Sequence, residues 1–183
     1  MKKVVLLGDS IRLWGYGTVI DKYLPDCEIY QPEENCMFAK YTLRLLFDLG
    51  DKIKGADVIH FNTGIWDTCT LYGDGIPFSS IPEYVSVVSR IADLLLTMGK
   101  KVIFSTTCPI RVGQPHNTNE RIDEYNAAVV EMLKTKGVII NDLHGVIASD
   151  IEKYIRSDDC IHLTEEGIKV AAESVSSIIK KYL

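Results

Sequence analysis

The sequence predicts an α/β protein whose parallel sheet is covered by helices on both faces, and three observations carry that prediction. Short β-branched runs alternate with longer stretches of helical period, as repeated β-α units require. Five such runs occur, enough for one sheet. Two long loops rich in Gly, Pro, Ser and Asn, Thr63 to Ile81 and Cys108 to Thr118, each follow the carboxyl end of a strand, where open parallel sheets build their sites.

The first strand reads as Lys3 to Leu7. Met1-Lys2-Lys3 has the charge of a signal peptide's first segment, but the apolar run Val4 to Leu7 is too short for one and meets Gly8-Asp9-Ser10 at once. A weaker helix covers Thr18 to Leu24, and the second strand runs from Glu28 to Gln31. Helix Ala39 to Lys54 leads to strand Val58 to Asn62, helix Pro82 to Met98 to strand Lys101 to Thr106, and helix Asn119 to Lys136 to strand Val138 to Asn141. Gly99 and Gly137 stand where helix C-caps are expected. A further helix is expected from Val146 to Ile155, and the last from Thr164 to Leu183. Thr164 can cap this last helix, Glu165 and Glu166 complement its dipole, and Leu163 can staple onto Ile168. His162 then lies just outside the helix.

Length and composition narrow the classes. With 183 residues, 46% hydrophobic and 25% charged, the chain is read as one soluble domain over residues 1–183, without stable membrane insertion. The net charge of -5 and the scattered lysines and arginines argue against nucleic acid as a partner. Five cysteines (Cys27, Cys36, Cys69, Cys108, Cys160) include no C-x-x-C pair, which suits reduced thiols in a cytoplasm. Metal-ligand spacing is absent, and no cofactor is expected.

Ser10 ends the first strand in Gly8-Asp9-Ser10, where glycine permits a turn that lifts the hydroxyl out of the sheet. The same residues also read as an N-cap for a following helix. A serine hydroxyl is a poor nucleophile until a histidine, oriented by a third group, takes its proton. His162 is the best placed of four histidines, because Asp159, three residues earlier, can fold back onto its ring. His144, in Asp142-Leu143-His144 after the fifth strand, competes for the role. His60, inside a strand, reads as a satisfied core residue, and His116 as exposed or in contact with substrate. Cys36, Cys108 and Cys160 fall near the same edge, but none stands in a turn resembling that of Ser10. Trp14, Tyr16 and Trp66 read either as core or as walls of an acyl or sugar pocket.

Gly8-Asp9-Ser10 at the first strand's end, with Asp159 and His162 near the other terminus, resembles the SGNH hydrolases, also called GDSL esterases or lipases. The resemblance spans nearly the whole chain. It implies a flavodoxin-like three-layer α/β/α sandwich with a five-stranded parallel sheet, with Ser10 as nucleophile, His162 as base and Asp159 as its orienting partner. Departures from the family pattern are equally specific. Ile11 replaces a leucine, a mild apolar swap. The glycine that offers its N–H to the oxyanion is replaced in the loop Pro32-Glu33-Glu34-Asn35-Cys36, where the Cys36 N–H is expected to substitute. The family's G-x-N-D block aligns with Gly64-Ile65-Trp66-Asp67, putting tryptophan where a side-chain amide donates. Loss of one such donor costs roughly 10²–10³ in kcat, so Asn35 or Asn62 is expected to supply it, although both also read as turn residues.

The expected activity is hydrolysis of short-chain acyl esters, acetyl esters foremost, on a small molecule or a carbohydrate, because no long apolar cap segment is visible in the loops. The alternatives are an O-acyltransferase using the same site, and a degenerate hydrolase fold that only binds ligand. A flavodoxin would need a small-residue phosphate loop where Ile11-Arg12-Leu13-Trp14 stands, and a receiver domain an aspartate where Asn62 ends the third strand.

Overall fold

The computed structural model describes all 183 residues. Five parallel strands, β1 (Lys2–Leu7), β2 (Cys27–Tyr30), β3 (Ala56–Asn62), β4 (Gly99–Ser105) and β5 (Ile139–Asn141), lie in the order β2-β1-β3-β4-β5. The helical elements in chain order are α1 (Ser10–Leu13), α2 (Ile20–Tyr23), α3 (Ala39–Ile53), α4 (Ile81–Met98), α5 (Asn119–Thr135), α6 (Leu143–Ala148), α7 (Ile151–Tyr154) and α8 (Glu165–Lys180). A single 3₁₀ turn covers Tyr16–Thr18. No helix is long and apolar enough to cross a membrane.

Alternate residues of each strand face opposite sides of the sheet, and two apolar clusters follow from that period. Val5, Leu7, Ile59 and Phe61 pack with α3, α4 and α5 on one face. Val4, Leu6, Val58 and Ile103 pack with α6 and α8 on the other. The result is three layers, as expected from the sequence. Burying strands on both faces explains their near-continuous apolar character.

The sequence boundaries hold to within a few residues for the strands and for α3, α4, α5 and α8. Thr164 caps α8, its Oγ1 accepting from the Gly167 N–H at 3.1 Å, and Leu163 and Ile168 share one apolar cluster. Gly137 takes the left-handed conformation at φ 76° after α5. Three expectations need correction. Gly99 is the C-cap of α4 but has φ -131° and passes directly into β4; its glycine character serves a close approach, since a Cβ would lie 2.6 Å from Ile59. The Val146 to Ile155 helix is two short helices, because the Asp150 side chain accepts from Lys153 N–H and starts α7 afresh. The Thr18 to Leu24 helix shrinks to the 3₁₀ turn and α2.

Candidate active site

Asp9 and Ser10 satisfy both sequence readings at once. The Asp9 carboxylate caps α1 by accepting from the Ile11 N–H at 2.9 Å, and this makes Ser10 the first helical residue. The Ser10 N–H is therefore one of the donors that a helix start leaves without an intrahelical partner, and nothing else in the fold accepts from it. The turn needs glycine before it, because a Cβ at Gly8 would stand 2.0 Å from Asn62 Oδ1. Burial raises the Asp9 pKa, while Ile11 N–H, the Asn62 side chain and Arg12 favour its charged form.

Arg12 holds this turn in place. It is 1% exposed, and its guanidinium donates to the carbonyls of Pro32 at 2.7 Å, Glu34 at 2.6 Å and Gly8 at 3.2 Å. The loop after β2 is thereby clamped to the turn after β1. This role of Arg12 was not read from the sequence, where Ile11-Arg12-Leu13-Trp14 counted only against a phosphate loop. A charged residue two positions after Ser10 was the available signal.

His162 reaches the same edge from the far end of the chain. Ile155 pairs with Leu163 as an antiparallel bridge, and Arg156 N–H donates to the His162 carbonyl at 2.8 Å. The turn between them places Cys160 at φ 61°. Within it, Asp159 Oδ1 accepts from the N–H groups of Ile161 and His162, both at 2.9 Å, and Oδ2 lies 2.9 Å from His162 Nδ1. Burial alone would raise the Asp159 pKa; the two N–H groups and the imidazole outweigh it and hold the carboxyl down at about 2. His162 Nε2 is buried without a hydrogen-bond partner. Ser10 and His162 both line one cavity of about 180 Å³, although no hydrogen bond joins them. Catalytic hydrogen bonds in unliganded sites are commonly long.

The other histidines have different surroundings. His144 is occupied at both nitrogens, by the Thr107 carbonyl at 2.9 Å and Asp123 at 3.2 Å, and does not line the cavity. His60 is fully buried beside Tyr16 and Asn141, and burial drops its pKa to about 3, so it is neutral. His116 lines the cavity. Tyr16 is core, donating to Asn62 Oδ1 at 3.0 Å, whereas Trp14 and Trp66 are partly exposed and form cavity walls.

The expected oxyanion groups fare unequally. The Cys36 N–H donates to the Gly8 carbonyl at 3.1 Å, so it is engaged in holding the β1 and β2 loops together. Asn35 is a turn residue whose Oδ1 accepts from Met37 N–H at 2.8 Å. Asn62 supports Tyr16 and Asp9 from beneath. Neither these three nor Gly64 lines the cavity, but the Gly64 N–H is free of any backbone partner and the neighbouring Ile65 forms a cavity wall. Gly64 has φ 140°, and a Cβ there would strike Thr107 Oγ1 at 2.2 Å. Cys69, the one thiol lining the cavity, was not singled out from the sequence. It donates to the Ile65 carbonyl and is raised in pKa by burial, which keeps it protonated.

Asp67 organises the loop after β3. It is fully buried; Oδ2 accepts from the Ala39 N–H at 3.0 Å, capping α3 from 28 residues away, and Oδ1 accepts from Ser79 Oγ at 2.7 Å. Burial pushes its pKa up to about 6, against 3.8 ordinarily. Between those values the unfolded chain has lost the proton and the folded one keeps it, so this group makes stability fall as pH rises, by about 3 kcal/mol in all. In Asp67→Asn, thermal melts between pH 4 and pH 6 should lack that component; a slope equal to wild type would show that the carboxyl titrates normally.

No family model and no curated protein matches the sequence. Solved structures do match. A lipase/acylhydrolase from Enterococcus faecalis is 17% identical at a TM-score of 0.82, over 99% of this chain and 96% of that one. An acetyl xylan esterase is 18% identical at 0.78, over 97% and 99%. An acetylxylan esterase from Geobacillus stearothermophilus is 15% identical at 0.78, over 97% and 94%. At these identities the likeness shows a shared fold, the three-layer sandwich that the resemblance to SGNH hydrolases implied.

Proposed function

We propose that the chain is a serine esterase of the SGNH type that hydrolyses short-chain acyl esters, acetyl esters foremost, with carbohydrate esters among its substrates. One observation carries the reading: Ser10 and His162 share a cavity in which the imidazole is held at Nδ1 by Asp159 and left without a partner at Nε2. The neighbours of like fold include acetyl xylan esterases, and structures of catalytic mutants of the Geobacillus enzyme have a serine or a histidine replaced by alanine.

In this reading His162 Nε2 takes the Ser10 proton as Ser10 Oγ attacks the ester carbonyl, and Asp159 stabilises the imidazolium. The oxyanion is met by the N–H groups of Ser10 and Gly64, in place of Cys36, Asn35 and Asn62. Collapse of the intermediate passes the proton from His162 to the leaving alcohol. Water, activated by the same imidazole, then releases the acyl group from Ser10. The cavity and the apolar walls Ile65, Trp66 and Leu71 suit a short acyl chain. Five unpaired thiols are consistent with a reducing, cytoplasmic setting for the reaction.

A fluorophosphonate probe and a panel of p-nitrophenyl esters from acetate to dodecanoate, with acetylated sugars beside them, test this. Ser10 is expected to label, and acetate and butyrate to turn over faster than the long chains. Absence of labelling in folded wild type would replace the esterase with a ligand-binding module, and faster dodecanoate hydrolysis would overturn the short-chain assignment.

A further inference from the structure

The cavity that Ser10 and His162 share has a neighbour. A second cavity of about 260 Å³ lies beside the catalytic one of about 180 Å³, and two residues, Cys69 and Leu71, line both. The other walls of the second cavity are Tyr72, Ile76, Pro77 and Phe78, together with Asp74. Asp74 is turned onto its own loop, Oδ1 accepting from the Ile76 N–H at 3.0 Å.

The two shared residues are held differently. Cys69 is buried and pinned, its Sγ donating to the Ile65 carbonyl at 3.1 Å and accepting from Asn117 Nδ2 at 3.0 Å. Its carbonyl accepts from the Phe78 N–H, and the Thr70 N–H donates to the His116 carbonyl, both at 2.9 Å. Residues 70–77 therefore leave and rejoin the fold at a fixed base, with Gly73 and Gly75 at φ 72° and 73° turning the chain between them. Leu71 stands one residue beyond the anchored Thr70. Its backbone is placed by that anchor, while its side chain, 38% exposed, carries no packing that the core depends on.

The two sides of the catalytic site differ in polarity. The leaving oxygen must receive its proton from His162, and His162 and Trp14 also border an open groove with Arg156, Thr164, Glu165 and Glu166, a polar surface suited to an alcohol. The lining of the catalytic cavity itself is almost wholly apolar, which suits the acyl chain. An acyl chain that lengthens within it meets Leu71 as a wall, and further apolar space lies on the other side of that wall.

The geometry points to Leu71 as the residue that sets acyl-chain length, a partition that closes the catalytic cavity against the second one. This inference rests on the esterase reading. The test is kcat/KM for p-nitrophenyl butyrate and octanoate, with fluorophosphonate labelling beside it, on wild type, Leu71→Ala, the double variant Leu71→Ala/Ile76→Asp, and Val112→Ala. Each methylene taken out of water is worth about fourfold, so opening the partition is expected to raise the octanoate-to-butyrate ratio by about tenfold or more in Leu71→Ala. Ile76→Asp puts a charge on the wall of the second cavity and is expected to return that ratio to the wild-type value. Val112→Ala, 91% exposed and lining neither cavity, keeps the wild-type ratio. An unchanged ratio in Leu71→Ala with Ser10 still labelled, a gain that survives Ile76→Asp, or an equal gain in Val112→Ala would overturn the partition and leave the esterase intact. Wild type that already prefers octanoate would overturn it together with the short-chain assignment. No turnover of either ester, with Ser10 unlabelled, would remove the esterase reading and this assignment with it.

Discussion

Replacing Asp159 by asparagine is expected to lower kcat for ester hydrolysis about 10,000-fold while the fold persists. Asparagine matches the aspartate in shape, and its oxygen can still accept from the Ile161 and His162 N–H groups that close the turn. What changes is the atom facing His162 Nδ1. A carboxylate oxygen there accepts the Nδ1 proton and leaves Nε2 bare; an amide NH₂ makes Nδ1 the acceptor and moves the proton to Nε2. An imidazole protonated on the side facing Ser10 cannot take a proton from it. The measurement is kcat on p-nitrophenyl acetate beside Ser10→Ala, with circular dichroism melts to establish folding. A loss under tenfold would place the base elsewhere, because a histidine that works equally well in either tautomer is not the one abstracting the proton.

The parts of this site that were legible in the sequence are those built from residues close together in the chain. Asp159 and His162 are three positions apart in one turn, Thr164 caps the helix that starts beside it, and Gly8-Asp9-Ser10 occupies a single strand end. Strand and helix order was readable for the same reason, since periodicities of two and 3.6 are local properties. Contacts across the sheet edge left no such trace. Asp67 caps α3 from 28 residues away, where Phe38 at the N-cap position has no side chain able to do so. The Cys36 N–H, expected to be free for the oxyanion, donates to the Gly8 carbonyl. Gly64 is required because Thr107 and Tyr84, distant in the chain, crowd the space a side chain would need. Trp66, at the motif position of the side-chain amide, is a wall of the cavity.

Arg12→Met is expected to cost about 3–5 kcal/mol of stability and to lower the melting temperature by about 10 °C. Methionine follows the aliphatic stem of arginine, so packing is largely kept, and the loss falls on hydrogen bonds. The carbonyls of Pro32 and Glu34 would face a buried thioether in place of the guanidinium donors they now accept from. Arg12→Lys restores the charge but not the planar fork that serves separate carbonyls, and is expected to recover only part of the stability. Urea denaturation curves give both values. The loss should also reach catalysis, because the clamp joins the turn that presents Ser10 to the loop after β2, and Arg12 Cβ lies within 2.9 Å of where a Gly8 side chain would begin. Ester turnover in Arg12→Met is expected to fall even well below its melting temperature, through a lower kcat at little-changed KM. A variant that melts early yet turns over ester at the wild-type rate when cold would show that the clamp serves the fold alone and that the Ser10 turn holds its shape without it.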